Sequence, residues 1–406
     1  MEPIDPRPLD ILDGEFYVDG DTYAKYAWLR ENEPVMWDET NELWVVTRYD
    51  DIVDIEKNKH VFINSDKDKG GYRPNIPADR SIIGTDDPLH VARRNLVSRR
   101  FTPRAVSQWD DEVRDTVDAL LDPVLKRGRG EIVAELAAPL PAQMIGLLLG
   151  FPAEMWPKLQ HWSETTIALG GGPRYHEEGG IISAMEFAGA CAELYETKKS
   201  EIANGCPMDD VMTKWVTVES ETGGEVGGEA FGLDQIISDC LLLLDGGAET
   251  TRTVIARTLL ELADRPDQWQ LLKDGADIEV ATEEFIRWVT PVHNFCRAAT
   301  EDVELHGRTI RKGQQVLLAY GAANRDPAHF ENPETFDLTR TPNHHISFGF
   351  GTHFCLGASL ARLEIRTFFD RLRQRVDHLE RLTDEPHIEM PNAFVFGLKE
   401  SHVAFT

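Results

Sequence analysis

The chain has 406 residues, 41% of them hydrophobic, and its 70 acidic against 42 basic side chains give a formal net charge of −28. That excess argues against a nucleic-acid partner, and such acidity also occurs in salt-adapted proteins. No stretch approaches the roughly 18 apolar residues of a membrane anchor, and the polar, proline-broken start MEPIDPRPLDILDG lacks the regions of a signal peptide.

In chain order, the spacing predicts a helix over Asp21 to Asn32, then a hairpin in PVMWDETNELWVVTRY, whose WVVTRY run is rich in strand-forming residues. Helical periodicity follows over Leu89 to Phe101, Asp110 to Lys126, Ile132 to Leu149 and Ala184 to Ala203. ETGGEVGGEAFG is a loop that leads into a helix over Leu233 to Ala263, long enough to cross a whole domain. Val280 to Val289 and Leu356 to Val376 complete the helices. Strands are expected in NFCRAATED, in GQQVLLAY and near the C-terminus in NAFVFGLKESHVAF. No linker, repeat or low-complexity tract divides the chain, so residues 1–406 are expected to form a single domain, mainly α with small β-sheets. Five scattered cysteines (Cys191, Cys206, Cys240, Cys296, Cys355) without CxxC pairing predict a reducing, cytoplasmic setting rather than disulfides or zinc.

Cys355 lies where the glycine-loosened run FGFGTHFCLG gives way to a helical pattern. A helix N-terminus favours thiolate over thiol. A thiolate facing an apolar, aromatic-lined slot is what haem iron needs to activate oxygen rather than carry it. Gly349 and Gly351 let the backbone pass close under a flat macrocycle, Gly357 lets the helix start against it, and Phe348 supplies an aromatic floor. Six fixed residues in ten positions, Phe348, Gly349, Gly351, His353, Cys355 and Gly357, resemble the haem-binding signature of the cytochrome P450 monooxygenases. The resemblance implies a P450 fold with haem b between the long distal helix and the helix that starts at the cysteine loop.

Other segments take their meaning beside that signature. In LLLLDGGAETT, Gly246 and Gly247 weaken the helical ladder beside Glu249 and Thr250. Either this is a glycine pair for close helix packing or a notch that holds dioxygen; the resemblance implies the latter, with Glu249 as acid and Thr250 as alcohol in proton delivery. Glu284 and Arg287 share a helical face and resemble a buried brace completed by Arg340. His90, Arg94, Arg297 and His353 match positions that neutralise the haem propionates. No nucleotide-binding, zinc-protease or serine-hydrolase motif appears, and YHEEGG around His176 lacks metal-ligand spacing.

Without a flavin or nicotinamide fingerprint the chain needs an electron donor. The resemblance implies a ferredoxin fed by an NAD(P)H-dependent ferredoxin reductase, docking near Arg93, Arg99, Arg100, Arg104, Arg362 and Arg366. It also implies a substrate pocket lined by Ile82, Ile83, Leu242, Asp245 and Gly246, by Val292 and His293, and by Ala393, Phe394 and Val395, suited to a hydrophobic small molecule. TPVHNFCRAATEDVELHG and NAFVFGLKES look most like bacterial hydroxylases of steroid side chains or terpenoids. Asp245 departs from the family's aliphatic habit: it receives a substrate hydroxyl or amine, pairs with His293, or meets water. A peroxide-driven haem-thiolate hydroxylase and a non-catalytic haem sensor are the rival readings; the Glu249–Thr250 pair argues against the first, and the second would need neither the glycine notch nor a donor patch.

Overall fold

The computed structural model describes residues 2–68, 70–170 and 179–406. Helices dominate, with small sheets at the margins. The Val35–Asp38 and Leu43–Val46 strands form the expected hairpin, and Gln315–Ala319 pairs parallel to the second of them. Asn294–Ala299 and then Phe62–Ile63 extend this into a five-stranded sheet. Gln315–Ala319 is buried at every position, as an inner strand of consecutive apolar residues should be.

The Leu233–Asp264 helix runs 32 residues without interruption, about 48 Å at 1.5 Å per residue. Its N-terminal half packs Ile236, Cys240, Leu243 and Leu244 into one hydrophobic core with Trp215, Phe187 and Trp162. Its C-terminal half places Val254, Ile255 and Leu259 in a second core with Phe285 and Phe369. The stretch between, from Asp245 onward, belongs to neither, and that leaves it free to form the wall of a cavity.

Two expected helices are broken. The Leu89 to Phe101 pattern ends as a helix at Arg94 and resumes as a tight turn at Ser98–Phe101. This bend lets Arg93 reach Asp239 while Val97 and Phe101 bury on the other side. The Ile132 to Leu149 pattern splits because Pro139 lacks an N–H and opens the first helical position of Pro139–Leu149. Before it, Ala137 and Ala138 donate to the carbonyls of Ile132 and Val133, the wide five-residue spacing of a π-turn. The glycine-rich loop folds as a small hairpin, Glu225–Val226 against Glu229–Ala230. Periodicity missed the Tyr49–Lys57, Trp156–Thr166 and Val211–Thr222 helices. No helix among the described residues is long and apolar enough to cross a membrane.

Candidate active site

The cysteine loop is shaped by backbone first. Gly349 and Gly351 both take φ +69°, and a Cβ on Gly351 would lie 2.8 Å from the Glu56 carbonyl oxygen. The Cys355 N–H closes the loop by donating to the Phe348 carbonyl at 2.9 Å. Gly357 then caps the Ala358–Arg373 helix. Burial pushes the Cys355 thiol up; the N–H groups of Gly357 and Ala358 and the guanidiniums of Arg94 and Arg362 pull the other way and do not overcome it. Burial thus works against the thiolate that the helix start favours, and a bound metal cation would add to the favouring side.

Cys355, Phe348, His353 and Gly357 line one side of a cavity of about 370 Å³. Gly246 and Thr250 of the long helix line the other, with Leu242 and Asp245 a turn earlier. Ile82, Ile83, Val292, Phe394 and Val395 close it with apolar side chains. The Thr250 hydroxyl donates to the Gly246 carbonyl at 2.7 Å, which turns its lone pairs to the cavity.

The glycine pair splits its roles. Nothing lies within 4 Å of a Cβ built on Gly246, whereas one on Gly247 would sit 2.3 Å from Ile145 Cδ1. The helix is not broken here; both glycines line the cavity, but Gly247 also serves close helix packing while Gly246 only keeps the wall bare. Gly247→Ala is expected to cost about 1–3 kcal/mol by overpacking against Ile145. Gly246→Ala should leave the melting temperature nearly unchanged, or slightly raised, while weakening ligand binding. Paired melting and ligand-titration measurements distinguish the two.

Five of the residues predicted for haem, substrate or proton delivery lie off the cavity wall, among them Ala393, which is buried in the core with Tyr17 and Cys296. Glu249 is buried and faces away, accepting from Ser163 Oγ at 2.9 Å and pairing with Arg252, which in turn meets the part-exposed Glu164 at 3.1 Å. Arg297 pairs with buried Glu56 at 2.6 Å, an acid that also accepts from Tyr320 and from the Phe350 N–H. Gly349 acts through its loop geometry. His293 is a correction: it is fully buried in an aromatic box of Tyr17, Tyr23, Tyr26 and Phe396, too far into the neighbouring core to meet substrate or Asp245.

The brace joins three residues from two segments, Glu284 and Arg287 on one helix and Arg340 from the loop beyond. Arg287 Nε and Nη2 donate to the two Glu284 carboxylate oxygens at 2.7 and 2.8 Å, and Arg340 Nε donates to Oε2 at 3.1 Å. Of the arginines predicted to receive a donor, Arg93 is buried against Asp239, and Arg100, Arg362 and Arg366 are paired with Asp209, Glu283 and Glu279. Arg99 and Arg104 are exposed without an ion pair among the described residues. His176 lies outside the described residues.

The residues present fit a haem. His90 is almost completely buried, yet neither ring nitrogen has an aligned hydrogen-bond partner, although Asp87 Oδ1 lies 3.4 Å from Nδ1. The His353 ring packs 4.2 Å from it, and Arg94 completes the cavity rim. Burial, then Arg297, His90 and Arg94, hold His353 down to about 2. A cluster of basic groups that suppresses its own protonation calls for a buried anion, as haem propionates provide.

Sequence reasoning missed Tyr72, Arg73 and Asp79, which reach the cavity from an irregular loop, and Thr166, whose Oγ1 lies 2.6 Å from Asp245 Oδ1. It also missed Glu364, a buried cavity-lining acid pushed up by burial alone. The segments from Tyr72 to Asp79 have no periodicity to reveal them.

Burial, against the Thr166 hydroxyl bond and with Glu249, Arg73 and Asp79 nearby, raises Asp245 from 3.8 to about 7. Between those values the native state holds a proton that the unfolded state has released. Asp245 thus stabilises the fold at low pH, and this is lost as pH rises through 7. Buried His293, lowered to about 3, tilts the curve in the opposite sense, so the difference between wild type and Asp245→Asn is the quantity to measure. That difference should change by up to about 1.4 kcal/mol per pH unit between pH 4 and 7 in denaturant titrations.

The sequence profile described as "Cytochrome P450" matches residues 278–405, which hold the brace and the cysteine loop. The chain is 36% identical to a steroid C26-monooxygenase of Mycobacterium tuberculosis, covering 98% of this chain and 97% of that one. It is 37% identical to another protein of that name from Mycolicibacterium smegmatis over the same shares. Among solved structures it resembles CYP109E1 from Bacillus megaterium in complex with testosterone, with a TM-score of 0.84 at 29% identity, covering 95% of this chain and 97% of the other. With Cys355 facing the long helix across an apolar cavity and relatives matched along nearly their whole length, the chain belongs to the cytochrome P450 family and is a haem b-dependent monooxygenase.

Proposed function

We propose that residues 1–406 act as one catalytic unit that hydroxylates a C–H bond of a steroid-like substrate in the cytoplasm, with electrons from a ferredoxin and its NAD(P)H-dependent reductase. The observation that carries this is the placement of Cys355 across the cavity from Gly246 and Thr250. Steroids are favoured because the walls are mostly apolar and because relatives and a structural neighbour are named for, or bound to, steroids. When bound, haem supplies oxygen activation, with one oxygen atom entering the C–H bond and the other leaving as water, at the expense of two electrons and two protons.

The chain's own groups arrange that chemistry. Cys355 would supply the sulfur ligand to the haem iron, and Phe348, whose carbonyl closes that loop, carries Arg362 stacked 4.5 Å over its ring. His90, Arg94 and His353 would hold the propionates, with Arg297 acting from behind through its field at His353. Thr250, whose proton is engaged at Gly246, can accept a hydrogen bond from water in the cavity. Glu249 gives protons to this point from the Arg252–Glu164 side, so the acid works from behind the helix wall and the alcohol from within it. Arg99 and Arg104 remain the exposed cations for an acidic donor.

The test is a ferric Soret titration with cholest-4-en-3-one and smaller terpenoids, followed by product analysis with a ferredoxin and reductase or with peroxide. A saturable low- to high-spin shift with the steroid and NAD(P)H-dependent product support the reading. A shift confined to terpenoids moves the substrate class, and product formed only with peroxide removes the ferredoxin.

A further inference from the structure

The cavity is not uniformly apolar. Asp245 lines it while bonded to Thr166 behind the wall, and the Tyr72–Asp79 loop brings Arg73 and Asp79 to the lining within electrostatic reach of Asp245. Arg73 Nη2 donates to Asp79 Oδ2 at 3.0 Å and Tyr72 donates its hydroxyl to the same oxygen; Arg73 Nε is shut away from the cavity, which leaves Nη1, with no hydrogen bond among the described residues, as the free donor of this guanidinium.

The proton inventory at Thr166 is informative. Its Oγ1 lies 2.6 Å from both the Trp162 carbonyl oxygen and Asp245 Oδ1. One hydroxyl carries one proton, and a carbonyl carries none. Two short oxygen–oxygen contacts are best satisfied by a second proton, and among the described residues the Asp245 carboxyl is the group placed to supply it. The direction of the burial effect on that carboxyl agrees. Asp245 is then a neutral acid that donates to Thr166 through Oδ1. Its Oδ2 has no hydrogen-bond partner among the described residues and is left as an acceptor on the cavity wall.

We propose that this polar end is a specificity site for a single hydroxyl group on an otherwise apolar substrate: the hydroxyl donates to Asp245 Oδ2 and accepts from Arg73. A ketone offers only the acceptor half, and a hydrocarbon leaves both protein groups unpaired in a cavity, which is costly. An amine is disfavoured, because a neutral Asp245 gives it no charge partner and Arg73 repels it. Asp245 precedes Thr250 by five residues, about 7.5 Å along the helix axis, so the anchored oxygen is held away from Thr250 rather than beside it. This inference rests on the steroid reading above and specifies which steroids.

The test uses a rigid set that differs only in oxygen: 5α-androstane, 5α-androstan-3β-ol, 5α-androstan-17β-ol and 5α-androstan-3-one. Each is titrated into haem-loaded wild type, Asp245→Asn and Asp245→Leu by the ferric spin shift. For wild type, at least one alcohol should bind tenfold or more tighter than androstane, with the ketone between. Asp245→Leu should erase the alcohol's advantage, and androstane should bind it at least as well as it binds wild type. Asp245→Asn, which keeps the shape, should retain part of the preference and confirms that the pocket is intact. Equal affinity for alcohols and androstane in wild type, or an undiminished preference in Asp245→Leu, overturns the anchor while leaving the steroid reading standing. No shift with any of the four while cholest-4-en-3-one still shifts the spectrum overturns the anchor and leaves the steroid reading standing; no shift with any of the five overturns both.

Discussion

Replacing Cys355 with serine is expected to abolish turnover, a loss on the order of 10³ or more, equivalent to more than about 4 kcal/mol of barrier, while the polypeptide still folds. The loop does not depend on the sulfur for its shape. It is closed by the Cys355 N–H bond to Phe348 and by two glycines at φ +69°. Serine keeps that backbone and nearly the same volume but offers iron no thiolate. Circular dichroism and melting of the haem-free chain should match wild type, and the reduced carbon monoxide complex should lose its red-shifted thiolate band. Normal turnover in the serine variant would remove Cys355 from the iron.

Arg287→Ala carries the largest expected cost in stability, about 3–5 kcal/mol, because it strands a buried carboxylate. Arg287 and Glu284 are both completely buried, and the arginine also donates to the carbonyls of Asn324, Pro333 and Thr335. Arg340 gives Glu284 one further bond and otherwise ties down carbonyls of its own loop, so Arg340→Ala should cost less, about 1–3 kcal/mol. The effect reaches the active site through one residue. Asn324, held by Arg287 through its carbonyl, accepts from the Ile346 N–H and donates to Ser347 Oγ, immediately before Phe348. Urea midpoints and haem content should fall together in Arg287→Ala. A loss below 1 kcal/mol, or unfolding with haem retention intact, would separate the brace from the cysteine loop.

The sequence by itself determined the parts of this protein whose energies are local. Ten consecutive residues hold the cysteine loop, and two positive-φ glycines are required wherever that loop is placed. The long helix follows from an unbroken 3.6-residue pattern, and Glu284 and Arg287 meet because they lie three apart on one face. Tertiary structure decided what depends on partners far along the chain. Arg297 turns to Glu56, 241 residues away, and Asp245 meets Thr166, 79 residues away, rather than His293. His293 is captured by three tyrosines from the N-terminal region and by Phe396. The polar end of the cavity comes from a loop without periodicity, and its protonation state is set by a desolvation that only the closed cavity creates. A side chain's identity fixes what chemistry it offers. Which neighbour accepts that chemistry, and how much water remains beside it, is a property of packing.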